Sequence, residues 1–258
     1  MVATETAHDV EYLPREGGER LAYLRRSGRS PGLVWLGGFK SDMAGNKARR
    51  LDEWAVQTGR ALVRFDYFGH GRSSGAFRDG TISRWRDDAL AAIDALTSGP
   101  QILVGSSMGA WLALLCARLR PERVAALFLI APATDFTEAL LWQRLPDNVR
   151  RELDEKGEWL RPSAYDPEPY PITRALIEDG RRHLVLDGRT LSVKVPVRIV
   201  QGMHDPDVPW THATRLAEVL DGDVRLTLVR EGDHRLSTPK DLALIERELD
   251  ALVAELAA

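Results

Sequence analysis

Apolar residues in this chain arrive in short unbroken runs separated by stretches of helical periodicity. Residues 33–36, 61–65, 102–104, 124–130, 197–200 and 225–229 are rich in Val, Ile, Leu and Phe. Their continuity predicts parallel strands covered on both faces rather than strands with one wet face. Between them, residues 45–58, 82–96, 108–119 and 209–220 predict helices. A closing helix over 239–256 opens on Pro239 and carries Leu242, Ile245, Leu249, Leu252 and Leu256 on one stripe. The opening segment, 10–26, predicts a hairpin turning at Arg15-Glu16-Gly17-Gly18-Glu19. The rhythm is βαβ, which predicts an α/β fold: a mostly parallel, twisted sheet with helices on both faces.

One interval departs from it. Residues 131–196 hold no clear strand but do hold Trp142, Trp159, Tyr165, Tyr170 and several prolines. Two short helices are expected there, over 146–156 before Gly157 and over 171–179 before Gly180. A long excursion on a compact domain is usually functional. The expectation is a single domain whose core comprises residues 1–133 and 187–258, with a helical lid, residues 134–186, inserted after the sixth strand.

Composition narrows the partners. Apolar residues make up 44% and charged residues 28%, as in ordinary globular chains. Acids and bases nearly cancel, 38 against 35, so a nucleic-acid partner is not expected. The longest apolar runs, 110–117 and 124–133, fall short of the ~20 residues a membrane helix requires. Residues 1–16 lack the basic start of a signal peptide, and the lone Cys116 cannot form an internal disulfide; a cytoplasmic location is expected.

Gly-x-Ser-x-Gly occurs twice. Gly105-Ser106-Ser107-Met108-Gly109 directly follows the run at 101–104 and precedes the helical Ala110-Trp111-Leu112. In a strand–elbow–helix setting, flanking glycines expose the central serine at a helix N-terminus, where backbone N–H groups can stabilise an oxyanion. The second copy, Gly71-Arg72-Ser73-Ser74-Gly75, lies in the loop starting at Asp66-Tyr67-Phe68-Gly69-His70 with no helix after it. Ser107 is therefore the expected nucleophile and Ser73 a loop residue.

A serine needs a base, and the base an orienting acid. Among the histidines, His8, His183 and His212 read as surface residues and His70 as a loop packing residue. His234, in Gly232-Asp233-His234 between the last strand and the last helix, is where the chain order Ser, acid, His puts the base. Asp205 leads as acid because Gly202-Met203-His204-Asp205 follows the 197–200 strand immediately. Asp207, Asp135 and Asp233 are the alternatives, with Asp207 read as a cap before Pro209. Gly37-Gly38-Phe39, at the end of an early strand, is expected to supply a second oxyanion donor, giving the backbone amides of Phe39 and Met108. Leu140, Leu141 and Trp142 form an apolar cluster that could line an acyl pocket, with Arg144, Arg150, Arg151 and Arg174 as a basic rim.

With these motifs assembled, the chain resembles the α/β-hydrolase superfamily over nearly its whole length. More narrowly it is similar to the mycophenolic acid acyl-glucuronide esterase / palmitoyl-protein thioesterase group. That likeness rests on Phe39-Lys40-Ser41-Asp42-Met43-Ala44-Gly45-Asn46-Lys47-Ala48, Asp79-Gly80-Thr81-Ile82-Ser83-Arg84-Trp85 and Pro171-Ile172-Thr173-Arg174-Ala175-Leu176-Ile177-Glu178-Asp179-Gly180. The resemblance implies a serine hydrolase of esters or thioesters, with Ser107, Asp205 and His234 in the triad and a small-molecule or acylated-protein substrate. It implies neither metal nor organic cofactor. No mitochondrial transit segment is evident, so a bacterial cytosolic relative with its own substrate is expected. A Ser-triad peptidase, a carbon–carbon hydrolase and a non-catalytic receptor on the same fold stay open, as does the oligomeric state.

Overall fold

The computed structural model describes residues 9–162 and 168–257; His8 and Tyr165 lie outside them. The chain opens with the hairpin β1 (Glu11–Pro14) and β2 (Arg20–Arg26), followed by β3 (Arg29–Leu36) and α1 (Asn46–Thr58). Next come β4 (Arg60–Phe65), α2 (Ile82–Leu96), β5 (Gln101–Ser106), α3 (Met108–Leu119) and β6 (Val124–Ile130). An excursion then carries α4 (Asp147–Lys156), β7 (Glu158–Arg161), β8 (Tyr170–Thr173) and α5 (Arg174–Gly180). The chain returns through β9 (Val197–Gly202), α6 (Trp210–Val219), β10 (Val224–Val229) and α7 (Pro239–Ala257).

Eight strands form one sheet in the order β1-β2-β4-β3-β5-β6-β9-β10. The pairings of β2 with β1 and β4 are antiparallel, and every pairing from β4 to β10 is parallel. The unbroken apolar runs are explained by what covers them. Alternate residues of β3 and β5 feed opposite cores: Val34, Leu36 and Leu103 pack with Trp85 of α2, Trp111 of α3 and Leu216 of α6. Leu33, Trp35, Ile102 and Val104 pack with Leu51 and Trp54 of α1 and Ile245, Leu249 and Leu252 of α7. Both side-chain faces are dry, so neither can be polar. At the sheet edge, β10 is only partly buried.

The excursion holds a two-stranded hairpin where only helices were expected. Residues 171–179 are not one helix: Tyr170–Thr173 pairs antiparallel with Glu158–Arg161, Trp159 opposite Ile172. The helix begins only at Arg174, where the Thr173 hydroxyl accepts the Leu176 N–H at 3.1 Å and caps it. Leu141, Leu145, Leu153, Ile172 and Ile177 give the excursion a small core of its own, against which Phe39 also packs. Its ends are tied together by Asp135, whose carboxylate accepts the N–H groups of Val185 (2.9 Å) and Leu186 (2.8 Å).

Candidate active site

The turn between β5 and α3 holds Ser107 at φ 55°, ψ −118°. A non-glycine residue in this region costs on the order of 1–3 kcal/mol, so the surroundings must enforce it. They do so by close packing: a Cβ on Gly109 would lie 2.0 Å from the Leu36 carbonyl oxygen, and one on Gly105 would lie 2.5 Å from that of Gly109. α3 thus rests its first turn directly on the end of β3. The Ser107 N–H is tied to Ile130 O at 2.9 Å. Gly109→Ala is expected to destabilise the fold by ~3 kcal/mol through overpacking against backbone that cannot rotate away. A fall in the urea midpoint checks this; an unchanged midpoint would mean that α3 can lift from β3 at no cost.

Three side chains from three loops meet at this turn. The Ser107 hydroxyl donates to His234 Nε2 at 3.1 Å, and His234 Nδ1–H donates to Asp205 Oδ2 at 2.8 Å. The roles follow from chemistry: an ionised carboxylate can only accept, so Nδ1 carries the proton and Nε2 keeps its lone pair. Asp205 is fully buried and saturated with donors: Gln201 Nε2 at 3.0 Å on Oδ2, and the Asp207 and Val208 amides at 2.9 and 2.8 Å on Oδ1. Burial would raise its carboxyl, but the His234 hydrogen bond and charge, with the Val208 and Gln201 donors, outweigh it and hold the carboxyl below the usual value.

The other acids do other work. Asp135 clips the excursion, and burial pushes its carboxyl up to about 6. Asp207 lines the cavity beside Ser107, 3.8 Å from Arg161. Asp233 caps the turn behind His234 by accepting the Leu236 N–H at 2.9 Å. His183 and His212 are not surface residues. His183 Nε2 lies 2.7 Å from Ser83 Oγ, and the buried His212 Nε2 bonds Thr134 O at 2.8 Å. Ser73 staples its loop to β2, donating to Asp66 O (2.6 Å) and accepting the Ala22 N–H (2.8 Å).

Among the described residues, Asp205, Asp207 and His234 are the one group of acids and histidines whose ligand atoms come within 4.8 Å of one another. The lone pairs of Asp205 and the ring of His234 are already engaged, which makes this a poor donor set for an ion.

Beside Ser107 lies a cavity of about 290 Å³. Phe39, Met108, Leu140 and Leu141 line it, together with Phe136, Ile172 and Val208. Gly38 is pressed against Ser107, its Cβ position 3.3 Å from that of the serine, so the Phe39 segment runs along the cavity edge. Met108 opens α3, and its N–H is among the first four that a helix leaves without internal partners.

Trp142 does not line the cavity. The π-helical turn Phe136–Leu141 ends in a sharp kink at Leu141, and a 3-10 turn leaves Trp142 half-buried against the excursion's own core, beneath Arg150 and Arg181, 5.6 and 4.9 Å from its ring. The anticipated basic rim is likewise not there. Arg150 lies on Trp142, Arg174 pairs with Glu178, and neither Arg144 nor Arg151 reaches the cavity. The cation that does line it is Arg161, from a hairpin that helical periodicity hid. On the other side of Ser107 a second hollow is lined by polar residues including Asp42, Asn46, Lys47 and Arg235.

Comparison with known proteins gives a consistent likeness. The pattern of the alpha/beta hydrolase family matches residues 28–245. The mitochondrial palmitoyl-protein thioesterase of Pongo abelii is 39% identical over 249 residues, covering 96% of this chain and 81% of that one. A putative hydrolase from Agrobacterium vitis S4 superposes with a TM-score of 0.90 at 45% identity, over 95% of this chain and 98% of that one. Mouse alpha/beta hydrolase domain-containing protein 10 does so at 0.89 and 37%, over 96% and 99%.

Proposed function

The chain belongs to the alpha/beta hydrolase family, and on that footing we propose that it is a serine hydrolase of carboxylic esters or thioesters working through an acyl-enzyme. The observation that carries this is the unbroken hydrogen-bonded chain from Ser107 through His234 to the buried Asp205. In the first half-reaction His234 Nε2 takes the Ser107 proton as Oγ attacks the carbonyl carbon. The negative charge that develops on the carbonyl oxygen is met by the Phe39 and Met108 amides. Such preorganised donors typically contribute the largest single share of acyl-transfer catalysis. His234 then returns its proton to the departing alkoxide or thiolate, and Asp205 stabilises the imidazolium in between. In the second half-reaction water, deprotonated by His234, releases the acid and regenerates Ser107. Neither metal nor organic cofactor enters any step. Residues 134–186 act as a lid, since Phe136, Leu140, Leu141 and Ile172 from that segment wall the cavity.

Labelling with a fluorophosphonate tests the reading: stoichiometric modification at Ser107 with steady turnover of short acyl esters is expected. Labelling elsewhere, or a single turnover only, overturns it.

The cavity wall dictates how rate varies with substrate. Each methylene moved from water into apolar surroundings gains ~0.8 kcal/mol. Along a series of p-nitrophenyl esters from acetyl upward, kcat/KM is therefore expected to rise ~3–4-fold per methylene until the cavity fills. A flat profile from acetyl to hexanoyl would show that the acyl group does not enter this cavity.

A further inference from the structure

The second Gly-x-Ser-x-Gly copy takes no part in the proposed chemistry, yet its loop reaches the active site. We propose that the loop Asp66–Gly75 is a clamp for the oxyanion segment and that His70 is its positioning residue, acting through the Lys40 amide on the neighbouring Phe39. This rests on the reading of the Phe39 N–H as an oxyanion donor.

The segment after Gly38 needs holding. Lys40 sits at φ 59°, a left-handed conformation that a non-glycine residue adopts only under constraint. Its own turn supplies one tie, Ser41 N–H to Gly38 O at 3.2 Å. Two more come from the loop: Lys40 N–H donates to His70 Nε2 at 3.2 Å, and Met43 N–H donates to Asp66 Oδ1 at 2.7 Å. The clamp is braced in turn, since Asp66 Oδ2 accepts the Arg72 N–H at 2.8 Å and Ser73 anchors the loop to β2.

His70 has one orientation available. The Phe68 carbonyl, 3.1 Å from Nδ1, can only accept, so Nδ1 carries the hydrogen and Nε2 presents its lone pair to Lys40. The same carbonyl accepts Trp85 Nε1–H at 3.0 Å. The ring, 3% exposed, stands edge-on to Tyr67, Phe77 and Trp85, with centroids 5.6, 5.0 and 5.3 Å away. Phe39 packs on Phe77 and Trp85 as well, at 4.8 and 5.8 Å, so one aromatic cage fixes the histidine and the residue it serves. Burial pulls the imidazole down to about 4, which keeps Nε2 an acceptor at neutral pH. An apolar side chain would fill this cage equally well. What only the histidine adds is the acceptor for a backbone N–H one peptide away from the oxyanion donor.

A donor that drifts from its aim weakens transition-state binding and leaves ground-state binding alone. The test compares His70→Met and His70→Gln, close in size, of which only Gln carries an oxygen acceptor able to reach Lys40 N–H. With an ester the wild type hydrolyses, His70→Met is expected to lose ~10–100-fold in kcat with KM within twofold, because an ångström-scale misplacement costs up to ~10². His70→Gln is expected to recover most of that loss. Binding of an acyl trifluoromethyl ketone, whose adduct carries the oxyanion, should weaken in parallel with kcat. Should His70→Met fail to fold, His70→Phe, which fills the same cage, replaces it. A folded Met or Phe variant with wild-type kcat overturns the clamp, as does a Gln variant no better than Met. Failure of wild-type Ser107 to take a fluorophosphonate would instead overturn the underlying hydrolase reading, and the clamp with it.

Discussion

Ser107→Ala is expected to lower kcat by at least ~10⁴-fold with the fold intact, because members of a nucleophile–base–acid unit fail together rather than additively. Removing the hydroxyl leaves His234 with no proton to accept and the ester with only water to attack it. The folded state should tolerate the change, since the strained turn is held by Gly105, Gly109 and the Ser107 backbone bond to Ile130 rather than by the side chain. Ser73→Ala is the control. It breaks two part-buried hydrogen bonds that hold its loop to β2, so ~1–3 kcal/mol of stability should be lost. Because the loop also braces the oxyanion segment, kcat should fall by no more than the ~10–100-fold expected of His70→Met, far short of Ser107→Ala. Steady-state kinetics on both variants with matched thermal melts decides the matter; the opposite pairing of effects would move the nucleophile to the other motif.

Asp205→Asn is expected to be almost as damaging, costing on the order of 10⁴ in kcat. An amide NH₂ facing His234 Nδ1 favours the tautomer with its hydrogen on Nε2, which cannot take a proton from Ser107. It also withdraws the negative charge that supports the imidazolium. Asp135→Asn and Asp207→Asn should leave kcat within a few-fold. The first loosens the clip on Val185 and Leu186 and should appear in stability; the second touches the cavity wall near Arg161. Kinetics of the three variants on one ester distinguishes them, and a crippling Asp135→Asn would place the acid on the earlier strand.

The parts of this architecture that could be read ahead of the structure are those where local sequence and tertiary environment say the same thing. β5 and β9 are buried along their whole length, so their composition alone marks them as interior strands. The elbow was legible because close backbone contact excludes side chains at Gly105 and Gly109, leaving a recognisable trace. Where the environment is built from distant pieces, the trace is lost. β7 and β8 are four residues each, too short for alternation to register, and Pro171 obscures what remains. Trp142 follows Leu140 and Leu141 in an apolar triplet, but past a π-helical turn and a kink it packs on the excursion's own core and leaves the cavity wall to the two leucines. The acceptor at His70 answers a donor thirty positions earlier, and nothing local to either residue announces it.

The carboxylate of Asp135 grips amides fifty positions along the chain, and this has an evolutionary consequence. To the sheet, the described part of the excursion is a ring closed at Asp135 and tied again at α2, where Ser83 bonds Asp179 and His183, and at α3, where Trp111 Nε1–H donates to the His183 carbonyl. The entropic cost of closing such a ring changes slowly with its size, by ~0.6 kcal/mol for each doubling. Lengths and sequences can therefore be traded inside the ring while β6 and β9 keep their register. A lineage that retains the aspartate, its pair of main-chain N–H groups and the ties to Ser83 and Trp111 is free to rewrite the rest of the roof over its active site. Grafting the roof of a relative onto this sheet, cut just inside Asp135 and Val185, becomes the natural route to a new specificity.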